Sequence, residues 1–202
     1  MKTKKWYNYL WIAEISYFIL GFFNILFAWL GMIFFLTPLA IAVITGNKSY
    51  CHKYCGRGQV FALVGKKFSR NKPLPTFMRT SYFRYGFLAF FMTMFLNMIY
   101  TTYLVFGGTT DLSQIVTLLW SFKLPWDFAY TANVTPWVAQ YAFGFYSVML
   151  TSATLGIITS LLFKPRGFCV YCPMGTMTQS ICKFKNGGND YGANEGECKG
   201  SC

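Results

Sequence analysis

Acidic residues are scarce in this chain of 202 residues, which has six Asp and Glu against eighteen Lys and Arg. Charged residues make up only 12% of the sequence, whereas a soluble domain averages about a quarter. Hydrophobic residues reach 54% and aromatic residues 21%, so the composition excludes an ordinary soluble domain and indicates a membrane protein. The basic residues cluster at the ends of apolar segments, which is typical of proteins that orient themselves in a lipid bilayer. We therefore expect no nucleic-acid partner.

Three further absences narrow the chemistry. His52 is the only histidine, and in its polar loop we expect it to be solvated rather than to bind a metal. Covalent haem attachment requires Cys-x-x-Cys-His, but Cys172 is followed by Pro173 and Cys55 by Gly56. Repeated Cys-x-x-Cys-x-x-Cys motifs are also missing from the sequence, so no soluble ferredoxin domain is predicted.

Long apolar runs cover residues 9–45, 82–106 and 136–163. A single span needs about 20 residues, so the first run predicts two spans with a tight turn near residues 28–31. The alternative is one full span followed by a half-helix over residues 31–44, broken at Pro38. An even number of crossings is favoured because basic residues flank this run on both sides, and the positive-inside rule places both sides in the cytoplasm. Within the run, Glu14 is expected to reach the interface or to pair with a lysine.

The predicted fold is an all-α integral membrane protein with about four transmembrane helices, arranged as two pseudo-repeated helix pairs. Each pair is followed by a cysteine turn and a short interfacial helix, over residues 58–68 and 175–185. Residues 1–185 form one transmembrane domain, with pseudo-repeats at about 8–80 and 82–185, and residues 186–202 form a flexible tail. Residues 111–135 form the outer connection, near the outer interface or as a lid over a quinone. The protein is thus expected in the cytoplasmic membrane as a multi-pass protein, with both cysteine turns on the cytoplasmic side.

Two similar cysteine-containing runs stand out. The first cysteine turn, residues 49–59, contains Cys51 and Cys55, and the second cysteine turn, residues 167–176, contains Cys169 and Cys172. Both read aromatic residue, Cys, short spacer, Cys, Gly or Pro, any residue, Gly, then Gln or Thr. Two nearby thiolates grip one metal centre, and four ligands usually close such a site. The two turns are therefore predicted to be halves of one shared site.

Three chemistries fit four thiolates in two turns. An iron–sulfur cluster, with [4Fe–4S] favoured over [2Fe–2S], suits glycines at 56, 58 and 175, because they let the backbone approach the sulfurs. Zinc accepts the same ligands but supplies no redox chemistry, so it would imply a non-redox scaffold. Quinone-linked thiol–disulfide exchange belongs on an oxidising face, whereas the basic residues place both turns on the cytoplasmic side.

The remaining cysteines have weaker claims to a metal. Cys182 lies one helical segment after Cys172 and could support the site. Cys198 and Cys202 form a Cys-x-x-x-Cys pair at the end of the tail. Spare thiols in a mobile tail are the favoured interpretation, and a second cluster that shares Cys182, or a site on a partner, is the alternative.

At these residues the chain resembles polyferredoxin-like membrane proteins with paired Cys-x-x-x-Cys-Pro turns. That group includes membrane subunits of periplasmic nitrate reductase and the nitrous-oxide reductase regulator. The chain differs from the pattern at Gly56, which stands where proline is usual, and in the two-residue spacer between Cys169 and Cys172. The resemblance implies iron–sulfur electron transfer between a membrane donor, such as a quinol, and a partner protein.

Because the soluble ferredoxin domain of that group is missing, the chain is predicted to be one electron-transfer component of an oxidoreductase complex rather than an independent enzyme. Its expected partners are other subunits of a membrane redox complex.

Overall fold

The computed structural model describes residues 9–45, 54–70, 72–109, 111–112, 115–118, 122–125 and 134–185, and this part is mostly helical. The helices and strands follow one another along the chain as α1 (Leu10–Phe23), α2 (Leu30–Thr45), α3 (Gly56–Phe68), α4 (Thr76–Arg79), α5 (Ser81–Phe106), β1 (Ile115–Leu118), β2 (Phe122–Pro125), α6 (Pro136–Leu162) and α7 (Pro173–Lys185). Two 3₁₀ turns, Ile25–Trp29 and Gly167–Val170, precede α2 and α7.

Within the described part, three helical stretches are long and apolar enough to cross a membrane: Ile25–Thr45, Ser81–Phe106 and Pro136–Leu162. Their positions agree with the predicted apolar spans and indicate a membrane protein. Helix α1 has 14 residues, or about 21 Å at the usual rise, which is short of the roughly 30 Å of a bilayer core. The count of four crossings and the pseudo-repeat therefore stay predictions.

The first apolar run is broken at Asn24 rather than near residues 28–31, so the predicted turn was placed too late. Asn24 is extended, with φ −145°, and its Oδ1 accepts the N–H of Leu26 at 3.0 Å. The chain reverses after it: Tyr17 lies against Gly31, although a continuous helix would separate these residues by about 21 Å. Pro38 lies inside α2 and does not break it as the alternative interpretation required. The break lies at Asn24 because its short side chain caps the turn.

Residues 111–135 contain a β-hairpin that the sequence analysis did not predict. Strand β1 pairs antiparallel with β2, with Val116 opposite Leu124. Val116 is fully buried, and the Thr117 N–H donates to Ser147 Oγ at 3.0 Å. The run Ile115-Val116-Thr117 is β-branched, which favours a strand, but four residues are too few to separate from an apolar loop by periodicity.

The chain divides into two compact units, each described here by itself. The first unit comprises residues 1–14, 34–88 and 155–202. The described part of its core contains Phe61, Phe168 and Tyr171, all buried. Gly156 admits the Phe61 ring, which a Cβ at that position would overlap, and Ser160 Oγ donates to the Phe61 carbonyl at 2.6 Å. Helix α3 is thereby packed directly against the end of α6.

The segment after α3 is a loop, as its Asn-Lys-Pro-Leu-Pro sequence predicts, and the structure ties it to the end of α6. The Arg70 N–H donates to the Leu161 carbonyl at 3.1 Å. Ser69 Oγ donates to the Phe163 carbonyl, and Lys72 forms an isolated parallel bridge with Phe163. These contacts satisfy carbonyls that α6 leaves free at its end.

The second unit comprises residues 15–33 and 89–154. Tyr146 is buried against Gly21, where no Cβ would fit, and its hydroxyl donates to the Phe18 carbonyl at 3.1 Å. Gly144 likewise lies directly under Met98. Small residues that let helices approach closely are the usual packing device of apolar bundles in membranes.

Candidate functional site

The first cysteine turn leads directly into α3. Cys55 is the N-cap residue of this helix, and its Sγ accepts the Gly58 N–H at 3.4 Å. A sulfur is an unusual cap, but a thiolate is a good acceptor for one of the free N–H groups of the first helical turn. The helix predicted over residues 58–68 is therefore confirmed, and it begins two residues earlier because of this cap.

The second cysteine turn is built on a left-handed residue. Arg166 has φ 64°, a conformation that non-glycine residues rarely adopt, and it directs the chain into the 3₁₀ turn Gly167–Val170. The Cys169 N–H donates to the Arg166 carbonyl at 3.0 Å. Cys172 comes next to Pro173, the first residue of α7, and its carbonyl accepts the Thr176 N–H at 2.9 Å. Proline suits this position because a first-turn N–H would have no helical partner.

Gly58 is the point where the two turns meet. A Cβ built on Gly58 would lie 3.7 Å from the sulfur of Cys55 and 3.7 Å from the sulfur of Cys169. The two sulfurs are therefore no farther apart than twice that distance, although 114 positions separate them along the chain (169 − 55). Gly175 stands at the equivalent place in the second turn, with its Cβ position 3.8 Å from Cys172 Cβ. The predicted close approach of backbone to the cysteines is thus present in both turns.

Both turns set cysteine sulfurs at the beginning of a helix. The N-terminus of an α-helix carries about half a positive charge, which stabilises negative groups and lowers the pKa of a nearby thiol. Cys55 and Cys172 are each the residue before a helix of 13 residues. The described cysteines Cys55, Cys169 and Cys172 are half-buried and form no disulfide. The arrangement therefore favours thiolates that are available as ligands.

A buried ion pair lies beside the first turn. Glu14 of α1 accepts the Arg57 Nε–H at 2.8 Å, and the two side chains are only 6% and 17% exposed. Burial lowers the pKa of Arg57, but the charge and hydrogen bond of Glu14, together with the Cys55 and Cys172 sulfurs, raise it above the ordinary value. The guanidinium is therefore positively charged at every working pH. Glu14 was expected to reach the interface or to pair with a lysine, and the structure pairs it with an arginine.

Aromatic rings enclose the second turn. Phe168 and Tyr171, which flank Cys169, pack edge-to-face at 5.0 Å and belong to the core of the first unit. Thr159 Oγ1 donates to the Leu155 carbonyl, so the Tyr171 hydroxyl donates to Thr159 at 2.6 Å. Burial raises the pKa of Tyr171, which keeps this hydroxyl protonated. Cys172 packs against these rings and is half-buried, so they lower the dielectric constant near its sulfur.

The structure describes three of the four predicted ligands. Cys55, Cys169 and Cys172 belong to the same compact unit, and Cys182 is fully buried in α7. The predictions on Cys51, His52, Cys198 and Cys202 fall outside the residues that the structure describes. The four-ligand set therefore stays a prediction, and the structure brings two of its members, Cys55 and Cys169, around Gly58.

The described donors are cysteine sulfurs, which suit an iron–sulfur cluster and also suit zinc. Among the described residues, no three His, Cys, Asp or Glu side chains are close enough to hold one metal ion. A tetrahedral zinc, with Zn–S of about 2.3 Å, would require sulfurs within about 4 Å of one another. Thiolates of an iron–sulfur cluster bind separate iron atoms and can lie farther apart. The upper limit on the distance between the sulfurs of Cys55 and Cys169 admits both arrangements.

The sequence analysis missed Arg57 as part of the site. Its signals were its position two residues after Cys55 and the isolation of Glu14 as the only acidic residue before Asp111. A lone acid in an apolar helix requires a partner, but only the folded chain shows which of the many basic residues lies within reach.

Comparison with known families bears on the same two turns. A family model described as a 4Fe–4S binding domain matches residues 27–75 and 147–186. Each matched segment contains one cysteine turn and the short helix after it; the first also contains all of α2, and the second contains the last part of α6. No curated protein and no solved structure matches the chain significantly.

Proposed function

We propose that the chain is a membrane electron-transfer subunit that binds a 4Fe–4S cluster, because a family model for a 4Fe–4S binding domain matches two of its segments. Cys51, Cys55, Cys169 and Cys172 hold one cluster, and the subunit passes electrons between a membrane donor and a partner redox protein. The observation that carries this proposal is the meeting of Cys55 and Cys169 around Gly58.

The bound cluster supplies one-electron redox chemistry, and the protein supplies ligands, burial and charge. Gly58 leaves the space between the sulfurs free and donates its N–H to Cys55. Such hydrogen bonds raise the reduction potential of a cluster, because they stabilise its more negative state. The helix N-termini after Cys55 and Cys172 act in the same direction. Phe168 and Tyr171 lower the dielectric constant near the Cys172 sulfur.

Charge supports the placement of the site on the cytoplasmic side. In the described part of the first unit, Glu14 is the only acidic residue, and it is used by Arg57. The basic residues that remain are Lys66, Lys67, Arg70, Lys72, Arg79, Arg84, Lys164, Arg166, Lys183 and Lys185. Such an excess is typical of cytoplasmic segments. An excess of basic residues is complementary to an acidic redox partner, and docking of this kind depends on ionic strength.

A quinol is our candidate for the membrane donor. A cavity of about 300 Å³ lies in the second unit and is lined by apolar side chains such as Met94 and Leu104 and by polar ones such as Asn97, Gln140 and Asp111. This volume is at the lower end of small-molecule pockets. Apolar walls with a few polar groups suit a ring that carries two oxygens.

The deciding experiment is iron and acid-labile sulfide analysis, with EPR, on protein purified anaerobically from membranes. We expect about four irons per chain in the wild type and loss of the cluster in Cys55→Ala, Cys169→Ala and Cys172→Ala. Cys182→Ala is the matched control, because this cysteine is buried outside the predicted ligand set and should behave as a small hydrophobic residue.

Stoichiometric zinc, with no EPR signal in the reduced protein, would overturn the proposal in favour of a structural scaffold. Disulfides within the turns, together with cysteines that label from the external face, would favour thiol–disulfide exchange. Loss of the cluster in Cys182→Ala, with Cys172→Ala intact, would show that the ligand set is wrong.

A further inference from the structure

Burying the charges of Glu14 and Arg57 costs free energy. Both side chains are buried, and buried ion pairs contribute little net stability, because removing the charges from water costs about as much as their attraction returns. An apolar pair of similar volume would be about as stable. Stability alone therefore does not account for two charges at this place.

The position of the pair relative to the cysteines offers a better account. Arg57 lies between Cys55 and Gly58 in the chain, and Gly58 is in contact range of both Cys55 and Cys169. A Cβ built on Gly56 would lie 3.5 Å from Glu14 Cβ, so α1 holds the Glu14 side chain directly beside this turn. The Cys55 and Cys172 sulfurs contribute to the raised pKa of Arg57, as negative groups near a guanidinium do.

The charges of Glu14 and Arg57 lie at different positions relative to the cysteines, so the pair creates an electric field there. Glu14 satisfies the Arg57 guanidinium through Nε and fixes a long, flexible side chain that would otherwise turn towards water. A fixed positive charge near thiolates favours the more negative, reduced state of a metal centre that they bind, and a buried charge is screened little by solvent or salt.

We propose that the Glu14–Arg57 pair sets the reduction potential of the metal centre held by the cysteine turns. Arg57 supplies a positive charge beside Cys55 and Cys172, and Glu14 positions that charge and offsets part of it. This inference rests on the proposed function, since it needs a redox centre at these cysteines. Both are positioning residues, because neither is a ligand.

The test is a redox titration, followed by EPR, of detergent-purified wild type, Arg57→Gln, Glu14→Gln and the double variant, with iron and sulfide measured in each sample. We expect Arg57→Gln to lower the midpoint potential and Glu14→Gln to raise it. The double variant should lie between the two single variants, because it removes both charges. Shifts of opposite sign are a signature that a merely structural role cannot produce.

Two controls keep the test interpretable. Lys66→Gln removes an exposed positive charge from the same helix, and its shift should be much smaller because solvent screens it. Arg57→Lys keeps the charge and should stay nearer to the wild-type potential than Arg57→Gln does.

Several results overturn the inference. Shifts of the same sign in Arg57→Gln and Glu14→Gln, no shift in either, loss of the cluster in both, or a Lys66→Gln shift of equal size would each show that the pair does not set the potential. A wild-type chain without iron and sulfide would overturn the proposed function as well. A cluster in the wild type whose midpoint potential is unchanged in both Arg57→Gln and Glu14→Gln would overturn this inference alone.

Discussion

The two cysteine turns solve the same problem with different neighbours. In each, a cysteine directly precedes a helix, and a glycine follows it three positions later: Gly58 after Cys55 and Gly175 after Cys172. The residue after the cysteine differs, being Gly56 in the first turn and Pro173 in the second. Both turns place a cysteine sulfur near Gly58: Cys55 from the first turn and Cys169 from the second. The turns differ in the packing around them.

The packing explains why the first turn lacks the proline of the second. A Cβ at Gly56 would lie 2.7 Å from the carbonyl oxygen of Leu10, closer than any real contact of this kind. Helix α1 thus occupies the space that a side chain would need. The departure of this turn from the Cys-Pro pattern is a consequence of close contact with α1, and it leaves the placement of Cys55 intact.

The largest difference between the two turns is expected when Gly58→Ala is compared with Gly175→Ala. A methyl group at position 58 would lie 3.7 Å from the sulfurs of both Cys55 and Cys169, an ordinary contact within the protein itself. It would, however, take space needed by a cluster bound to both sulfurs, so cluster content should fall several-fold. At position 175 the methyl group would make ordinary contacts, 3.5 Å from the Cys169 carbonyl oxygen, and cluster content should be nearly unchanged. Alanine favours a helix over glycine by up to about 1 kcal/mol, so both variants should fold. Iron and sulfide per chain is the measurement, and equal loss in the two variants would contradict our account of Gly58.

A second comparison exchanges the residues after the cysteines. Gly56→Ala forces a methyl group onto the Leu10 carbonyl and should cost about 1–3 kcal/mol of stability, as overpacking does. Pro173→Ala loses only the stiffness of a residue suited to the first helical position, and we expect a cost of less than about 1 kcal/mol. Thermal unfolding in detergent measures both. If Pro173→Ala proved the more damaging, the importance of the α1 contact would be refuted.

The smallest expected effect concerns the aromatic side of the second turn. Tyr171→Phe removes the hydrogen bond to Thr159 and should reduce stability by about 0.5–1.5 kcal/mol, with cluster content retained. Tyr82→Phe is the control, because that side chain is 93% exposed and its hydroxyl is free to meet solvent. A Tyr171→Phe variant that lost its cluster would assign the hydroxyl a direct role at the site, contrary to our description.

Much of the fold was predictable because helices that cross membranes need only length and apolarity. The run at residues 82–106 became α5, Ser81–Phe106, and the run at residues 136–163 became α6, Pro136–Leu162. Both short helices after the cysteine turns were predicted as well. The reversal at Asn24 and the strands β1 and β2 were not, because each depends on a few residues whose local preferences are weak.

The sequence predicted the kind of metal centre but not the contacts around it. The spacing of cysteines and glycines indicated an iron–sulfur centre, and the 4Fe–4S family match confirms that choice of cofactor. The sequence could not show that Arg57 is the partner of Glu14, because the described part of this unit contains ten other basic residues.

By itself, the sequence determined the membrane character, the long helices and the kind of ligand, since these follow from composition, run length and spacing over short distances. Only the tertiary structure decided that the sulfurs of Cys55 and Cys169 meet at Gly58, that α1 leaves no room for a side chain at Gly56, and that Arg57 pairs with Glu14 beside the first cysteine turn. The physical reason is that each of these features is a contact between segments far apart in the chain. Such contacts depend on how helices pack, to within an ångström, and no local pattern of residues specifies that distance.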